Sequence, residues 1–222
     1  MISRAILRVI VVIGVMGALL FFLAGTRDWF GAKLFLAAMG GGGLAMDLYL
    51  IRTDPDLYRE RTSRQDKPRS ERILLPLLNL VFFLWLAAMA LDVRWHGTAQ
   101  MPQWLNLAGG AVILAGFLAN LRVFRENTFA AAIVRVQKER GHKVVTTGPY
   151  ALVRHPLYGI GCLVYLAVPF VLGSWWGLAG VPVQVFLMAA RALAEERILK
   201  VQLEGYEDYM AKVRYRFVPF VW

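Results

Sequence analysis

The chain has 222 residues, of which 58% are apolar and only 18% charged, which excludes an ordinary soluble domain. Its apolar residues fall in runs close to the ~20 that a bilayer core requires, so the sequence is that of an integral membrane protein. The formal net charge is +10, and where those charges lie decides what they mean.

Arg4 and Arg8 precede an apolar stretch, as in a signal peptide. No small-x-small cleavage site comes before Arg27 and further spans follow, so a retained first helix is expected over about 9–25. A second span is expected over 34–51. Its run Gly40-Gly41-Gly42-Gly43 has no Lys-Ser/Thr after it and no strand before it, so it reads as a close helix-packing surface and not as a phosphate loop. Asp47 is the single acid within the expected spans; it marks either a functional position or a side chain reaching the interface. A polar stretch over 52–72 leads to a third span, 73–91, with Pro76 and Asn79, and a linker over 92–103 leads to a fourth, 104–121. After a basic segment come 35 residues without a charge, Pro156 to Ala190. As one straight helix they would measure about 52 Å against a hydrocarbon core of about 30 Å. The cluster Gly173-Ser174-Trp175-Trp176-Gly177 in their middle therefore predicts a helical hairpin.

The expected fold is an all-α integral membrane protein of about six transmembrane helices, four plus a C-terminal helical hairpin. Residues 1–121 form the first four spans, and 122–222 hold the hairpin and a cytosolic C-terminal helix. Whether the hairpin crosses fully or is re-entrant stays open. With the N-terminus cytosolic, 22 of the 25 Lys and Arg fall on the cytosolic side and three (Arg27, Lys33, Arg94) on the other. That asymmetry supports the span count and puts both termini in the cytosol, in a setting such as a bacterial inner membrane. It also accounts for the basic charge, so no nucleic-acid partner is expected. The lone Cys162 forms no internal disulfide, and His96, His142 and His155 are scattered, so no metal site is expected.

Two stretches carry candidate chemistry. Arg154 and His155 are the last polar side chains before the hairpin, and Pro156 suits the first position of a helix. The N–H groups of Leu157, Tyr158 and Gly159 would then face outward at a positive dipole end, while Gly159 and Gly161 would let a ligand approach closely. The same residues also describe an interfacial anchor. The second stretch is Arg191-x-x-x-Glu195-Glu196 with Lys200. As a solvated helix it would form the pairs Arg191–Glu195 and Glu196–Lys200. Facing the Arg154-His155 turn, its paired carboxylates could instead accept from the hydroxyls of a ribose.

Gly148-Pro149-Tyr150, Arg154-His155-Pro156-x-Tyr158-x-x-Gly161, Arg191-x-x-x-Glu195-Glu196, Gly205-x-x-x-Tyr209 and Pro219 follow one another in order. Together they resemble the isoprenylcysteine carboxyl methyltransferase and phospholipid methyltransferase superfamily, over about 122–222. The resemblance implies an S-adenosyl-L-methionine-dependent methyltransferase acting on a lipophilic or prenylated acceptor among membrane lipids, with carboxylate O-methylation favoured. It implies that His155, Pro156, Tyr158, Gly159, Gly161, Glu195 and Glu196 hold the cofactor, and that Arg191 and Arg154 receive an anionic acceptor group. An amine acceptor would need a base, for which His155 is the candidate. Eukaryotic members carry Asn-Phe-x-His upstream, whereas this chain has Asn127-Thr128-Phe129 followed by Ala130 and Ala131. That departure counts against prenylcysteine specificity, and the short chain resembles the smaller bacterial relatives. The alternatives are a sterol-reductase-like membrane enzyme using a nicotinamide cofactor, for which the chain is short, and a non-enzymatic scaffold or transporter subunit.

Overall fold

The computed structural model describes residues 1–62, 69–96, 101–132 and 135–222. Parts of the expected linkers, 63–68 and 97–100, lie outside the described residues. The described residues are helical or irregular, without a strand. Eight α-helices follow in order: α1 (Ile2–Ala24), α2 (Phe30–Thr53), α3 (Pro55–Thr62), α4 (Arg69–His96), α5 (Gln103–Glu126), α6 (Pro156–Leu172), α7 (Val181–Gln202) and α8 (Tyr206–Lys212). Five segments are long and apolar enough to cross a bilayer: α1, α2, α4, α5 and the stretch Trp176–Gln202 that contains α7. The sixth, α6, has 17 residues, about 25 Å of helix.

Both ends of α6 are level with its neighbours. At one end Leu157 packs against the apolar cluster that includes Leu50 of α2 and Phe124 of α5. At the other, Trp29 before α2 donates its indole N–H to the Leu172 carbonyl (2.9 Å), and the Met101 N–H reaches the Gly173 carbonyl (3.3 Å). The hairpin therefore traverses the whole bundle. Its turn begins at Gly173, in the left-handed region (φ 77°), whose N–H closes on the Pro169 carbonyl at 2.8 Å. The Ser174 hydroxyl donates to Asp92 (2.6 Å), the Trp85 indole donates to the Gly177 carbonyl (2.7 Å), and Trp176 faces outward. The turn formers in the middle of the apolar run thus do what their composition predicts.

The main core draws on α1, α2, α4, α5 and α6, with Leu20, Phe35, Leu86, Ile113 and Leu172 fully buried. Large apolar side chains also cover the outside: Ile10 is 61% and Phe22 80% exposed, as lipid-facing residues would be. The glycine run packs as expected at Gly42, where a Cβ would overlap the Phe117 ring of α5; Gly41 and Gly43 meet no neighbour. Asp47 is paired with Arg8 of α1, which neutralises it next to the end of the bundle where α3 lies.

Candidate functional site

The site forms where the start of α6, the C-terminal half of α7, α8 and the polar segment after α5 converge. His155 caps α6 in a non-helical conformation (φ −128°, ψ 65°), as the following proline requires. The cap does not leave the expected ring of free donors. The N–H groups of Tyr158 and Gly159 both close on the His155 carbonyl at 3.1 Å, so the dipole end alone makes no anion site here.

Arg154 and His155 are instead the anchoring points of the C-terminal segment. Their N–H groups donate to the carbonyls of Tyr215 (2.9 Å) and Arg216 (2.8 Å), and Arg154 Nη1 reaches the Val213 and Arg214 carbonyls (2.8 and 2.9 Å). Glu196 completes the knot. Its carboxylate accepts from Arg154 Nε (2.7 Å) and Arg216 Nε (3.1 Å) and lies 3.2 Å from His155 Nε2; Glu196, Arg154 and His155 are buried and Arg216 is half-buried. Gly159 belongs to the same knot, because a Cβ there would stand 2.6 Å from the Phe217 carbonyl oxygen.

Glu195, one residue earlier on α7, faces elsewhere. It accepts from the Tyr158 hydroxyl at 2.5 Å, and the Tyr158 ring stacks on His155 with centroids 5.4 Å apart. Arg191 lies over the other part of this group, 5.5 Å from the Tyr158 ring centroid. Its guanidinium is held by Glu71 at the start of α4 (Nη2 to Oε2, 2.9 Å) and by the Ala132 carbonyl (2.6 Å). The two within-helix pairs expected on α7 are therefore not formed among the described residues. Arg191, Glu195 and Glu196 each take a tertiary partner instead, because at the bundle end these side chains turn inward, where an isolated charge would be costly, whereas Lys200 is exposed.

These residues enclose a cavity of about 390 Å³. Arg154, His155, Pro156, Tyr158, Arg191 and Glu195 line it. Of the expected cofactor residues, Gly159, Gly161 and Glu196 are not on its wall; open space surrounds the position a Gly161 Cβ would take. The wall also includes Tyr150 of the Gly-Pro-Tyr motif, His142, and side chains that sequence reasoning did not single out: Arg61 of α3, Asn120 of α5, Arg135 and Tyr206. Nothing in the polar stretches distinguished them, since their order along the chain carries no periodicity linking them to the Arg-His-Pro turn.

Three buried polar atoms on this wall lack a protein partner among the described residues: Tyr206 Oη, Asn120 Oδ1 and Arg135 Nε. Unpaired buried groups are uncommon in folded proteins, and these three belong to residues of one cavity wall, whereas the unpaired Gln184 amide lies away from it. Burial holds the Tyr150 and Tyr206 phenols above their ordinary range, so both stay protonated. Burial, then Arg140 and Arg135, push His142 down to about 4, and its neutral ring stacks on Phe129 at 4.5 Å. Tyr209 of the Gly205-x-x-x-Tyr209 motif donates to the Tyr150 carbonyl at 2.7 Å, which ties α8 to the Gly-Pro-Tyr turn. The described residues contain no cluster of His, Cys, Asp or Glu able to hold a metal ion.

The fold and site are those of a helical membrane protein with a mixed polar and apolar cavity at the end of its bundle. Residues 104–204, which run through α5, α6 and α7, match the family model of the phospholipid methyltransferases. The match covers a little under half of the chain and includes every expected site residue from Arg154 to Glu196. No curated protein matches the sequence. Over that stretch the chain is similar to membrane methyltransferases of lipid-like substrates.

Proposed function

We propose that the protein is an S-adenosylmethionine-dependent methyltransferase that methylates a carboxylate on a lipid-like or prenylated acceptor at the cytosolic membrane interface. The observation that carries this reading is the cavity itself. It joins the Tyr158–Glu195 pair, three unpartnered buried polar atoms and apolar side chains such as Leu75 and Phe124 in one enclosure. A nucleoside with an amino-acid tail offers hydroxyls, amines and a carboxylate that those polar atoms could pair with, and the volume is in the range of about 300–1,000 Å³ typical of ligand pockets.

Within this reading His155, Pro156, Tyr158 and Glu195 hold the cofactor, with the Glu195 carboxylate available to accept from hydroxyls or an ammonium group. Gly161 keeps space open one turn above Tyr158. Glu196 and Gly159 act as positioning residues, fixing the Arg154-His155 turn against the C-terminal segment. Bound S-adenosylmethionine supplies a methyl group already activated by its sulfonium, so the protein's task is positioning and exclusion of water. An ionised carboxylate accepts without a base. The reading favours it over an amine because His155, the base an amine would need, has Nε2 turned to Glu196. Arg191 and Arg154 help to shape the acceptor side, although each is already neutralised by a glutamate.

The test is calorimetric binding of S-adenosylhomocysteine to detergent-purified protein, with a reduced nicotinamide dinucleotide as the comparison ligand. Saturable binding of the first alone, lost in Glu195→Ala, is the expected result. Preference for the dinucleotide would make the protein a reductase, and binding of neither by folded protein would leave only a non-enzymatic role.

A further inference from the structure

Among the described residues four arginines line the cavity, and three are neutralised. Arg135 pairs with Glu60 and Glu139 (both 2.7 Å), Arg154 with Glu196 (2.7 Å) and Arg191 with Glu71 (2.9 Å). Arg61 is different. Its Nη1 donates to the Ala130 carbonyl at 2.8 Å, and its guanidinium lies 4.5 Å from the centroid of the Phe124 ring. Among the described residues no carboxylate forms an ion pair with it. Asp47, whose charge does reach it, is already bound by Arg8. Lys143, the other unpaired cation on the wall, is exposed and solvated.

The surroundings of Arg61 oppose its charge. Burial, then the charges of Arg191 and Arg8, pull its pKa down to about 10. A half-buried cation, facing other cations and fixed by a carbonyl and a ring, is a poor arrangement for the protein alone. It is a good one for an anion arriving in the cavity, since a guanidinium offers a fork of donors to carboxylate or phosphate oxygens. Leu75, Phe124, Ala130 and Leu157 on the same wall supply apolar contact for the first part of a tail.

We propose that Arg61 binds the anionic oxygen group, carboxylate or phosphate, of the lipid-tailed acceptor and selects acidic acceptors over neutral ones. This rests on the methyltransferase reading for the meaning of "acceptor", but the binding site itself does not. It also moves the acceptor anion from the family-type arginines Arg154 and Arg191 to a residue of α3, outside the stretch matched by the family.

The test uses the full-length protein in detergent and three probes with one chain length: oleate, mono-oleoyl lysophosphatidate and oleyl alcohol. Thermal stabilisation by each is read for wild type, Arg61→Met and Arg61→Lys, with S-adenosylhomocysteine binding measured in parallel. Wild type should be stabilised by one or both anions and not by the alcohol, and the responding anion identifies the acidic group. Arg61→Met should lose that preference while melting no lower than wild type without ligand, because it removes an uncompensated charge; a structural arginine would show the opposite. Arg61→Lys, which keeps the charge but not the fork, should respond more weakly than wild type. Equal response of wild type to oleate and oleyl alcohol overturns the proposal, as does an anion preference surviving in Arg61→Met. If that variant does not fold, an undiminished response in Arg61→Lys overturns it. Loss of S-adenosylhomocysteine binding in wild type with the anion preference intact would sink the cofactor reading and leave the Arg61 site standing.

Discussion

Arg191 on α7 and Glu71 at the start of α4 form a two-pronged ion pair, Nε to Oε1 at 3.1 Å and Nη2 to Oε2 at 2.9 Å, across 120 residues of sequence. Glu71 is only 1% exposed. The pair holds Arg191 at the cavity wall and links the first half of the chain to the stretch matched by the phospholipid methyltransferase model. Removing one partner of such a pair leaves a buried charge, which costs about 3–5 kcal/mol. Glu71→Ala should therefore lower the melting temperature of the purified protein sharply, and the double variant Glu71→Met/Arg191→Met should recover most of the loss. Equal melting of Glu71→Ala and wild type would show that the pair carries no such weight.

The two adjacent glutamates should separate in their effects. Glu196 holds Arg154 and Arg216, so Glu196→Gln should loosen residues 213–222 and expose them to limited proteolysis. Glu195 touches Tyr158 and the cavity, so Glu195→Gln should leave the protease pattern unchanged and weaken S-adenosylhomocysteine binding. A matching proteolysis pattern for the two variants would contradict this division of roles.

Gly159 and Gly161 offer a similar contrast. A methyl group at 159 meets a backbone carbonyl at 2.6 Å, and backbone cannot rotate away as a side chain can. Gly159→Ala should destabilise by about 1–3 kcal/mol, measured by thermal unfolding. At 161 there is open space, so Gly161→Ala should fold at least as well as wild type, given alanine's higher helix propensity. Any loss of cofactor binding in that variant would then come from the ligand's own need for the space.

His142 predicts a pH dependence. Its pKa is about 4 in the folded protein against 6.5 in the ordinary state, so between those values the unfolded chain binds more protons. Stability should therefore fall as pH drops from 6.5 towards 4 and not change further from this group below that. The full shift would correspond to about 3 kcal/mol, which partial exposure screens to on the order of 1 kcal/mol. Unfolding curves for wild type and His142→Gln across this window should converge at low pH. A constant gap between them would refute the assignment.

The membrane fold was readable from sequence because the bilayer imposes a one-dimensional constraint. A span needs a certain length of apolar chain, and positive charge collects on one side. Hence the 35-residue uncharged run identified the hairpin, and Pro156 identified the start of α6. That the hairpin crosses the whole bundle was left open by its length. Contacts at both ends of α6, made with residues more than 30 positions away, settle it.

At the site, the motifs located the wall but not what each charge does. Local spacing predicted Arg191–Glu195 and Glu196–Lys200, since on an isolated helix residues four apart are the available partners. Inside the folded protein those side chains face Glu71, Tyr158, Arg154 and Arg216, and a buried charge takes the partner that offers the most complete pairing. Arg61 was one of seven basic residues in a polar stretch, indistinguishable from its neighbours there. Sequence alone determined the spans, the hairpin and the cluster of motifs, because these follow from hydropathy and backbone rules acting along the chain. Only the tertiary structure decided which charges are neutralised and that Arg61 is left without a carboxylate partner at the cavity wall, because pairing depends on distance in space.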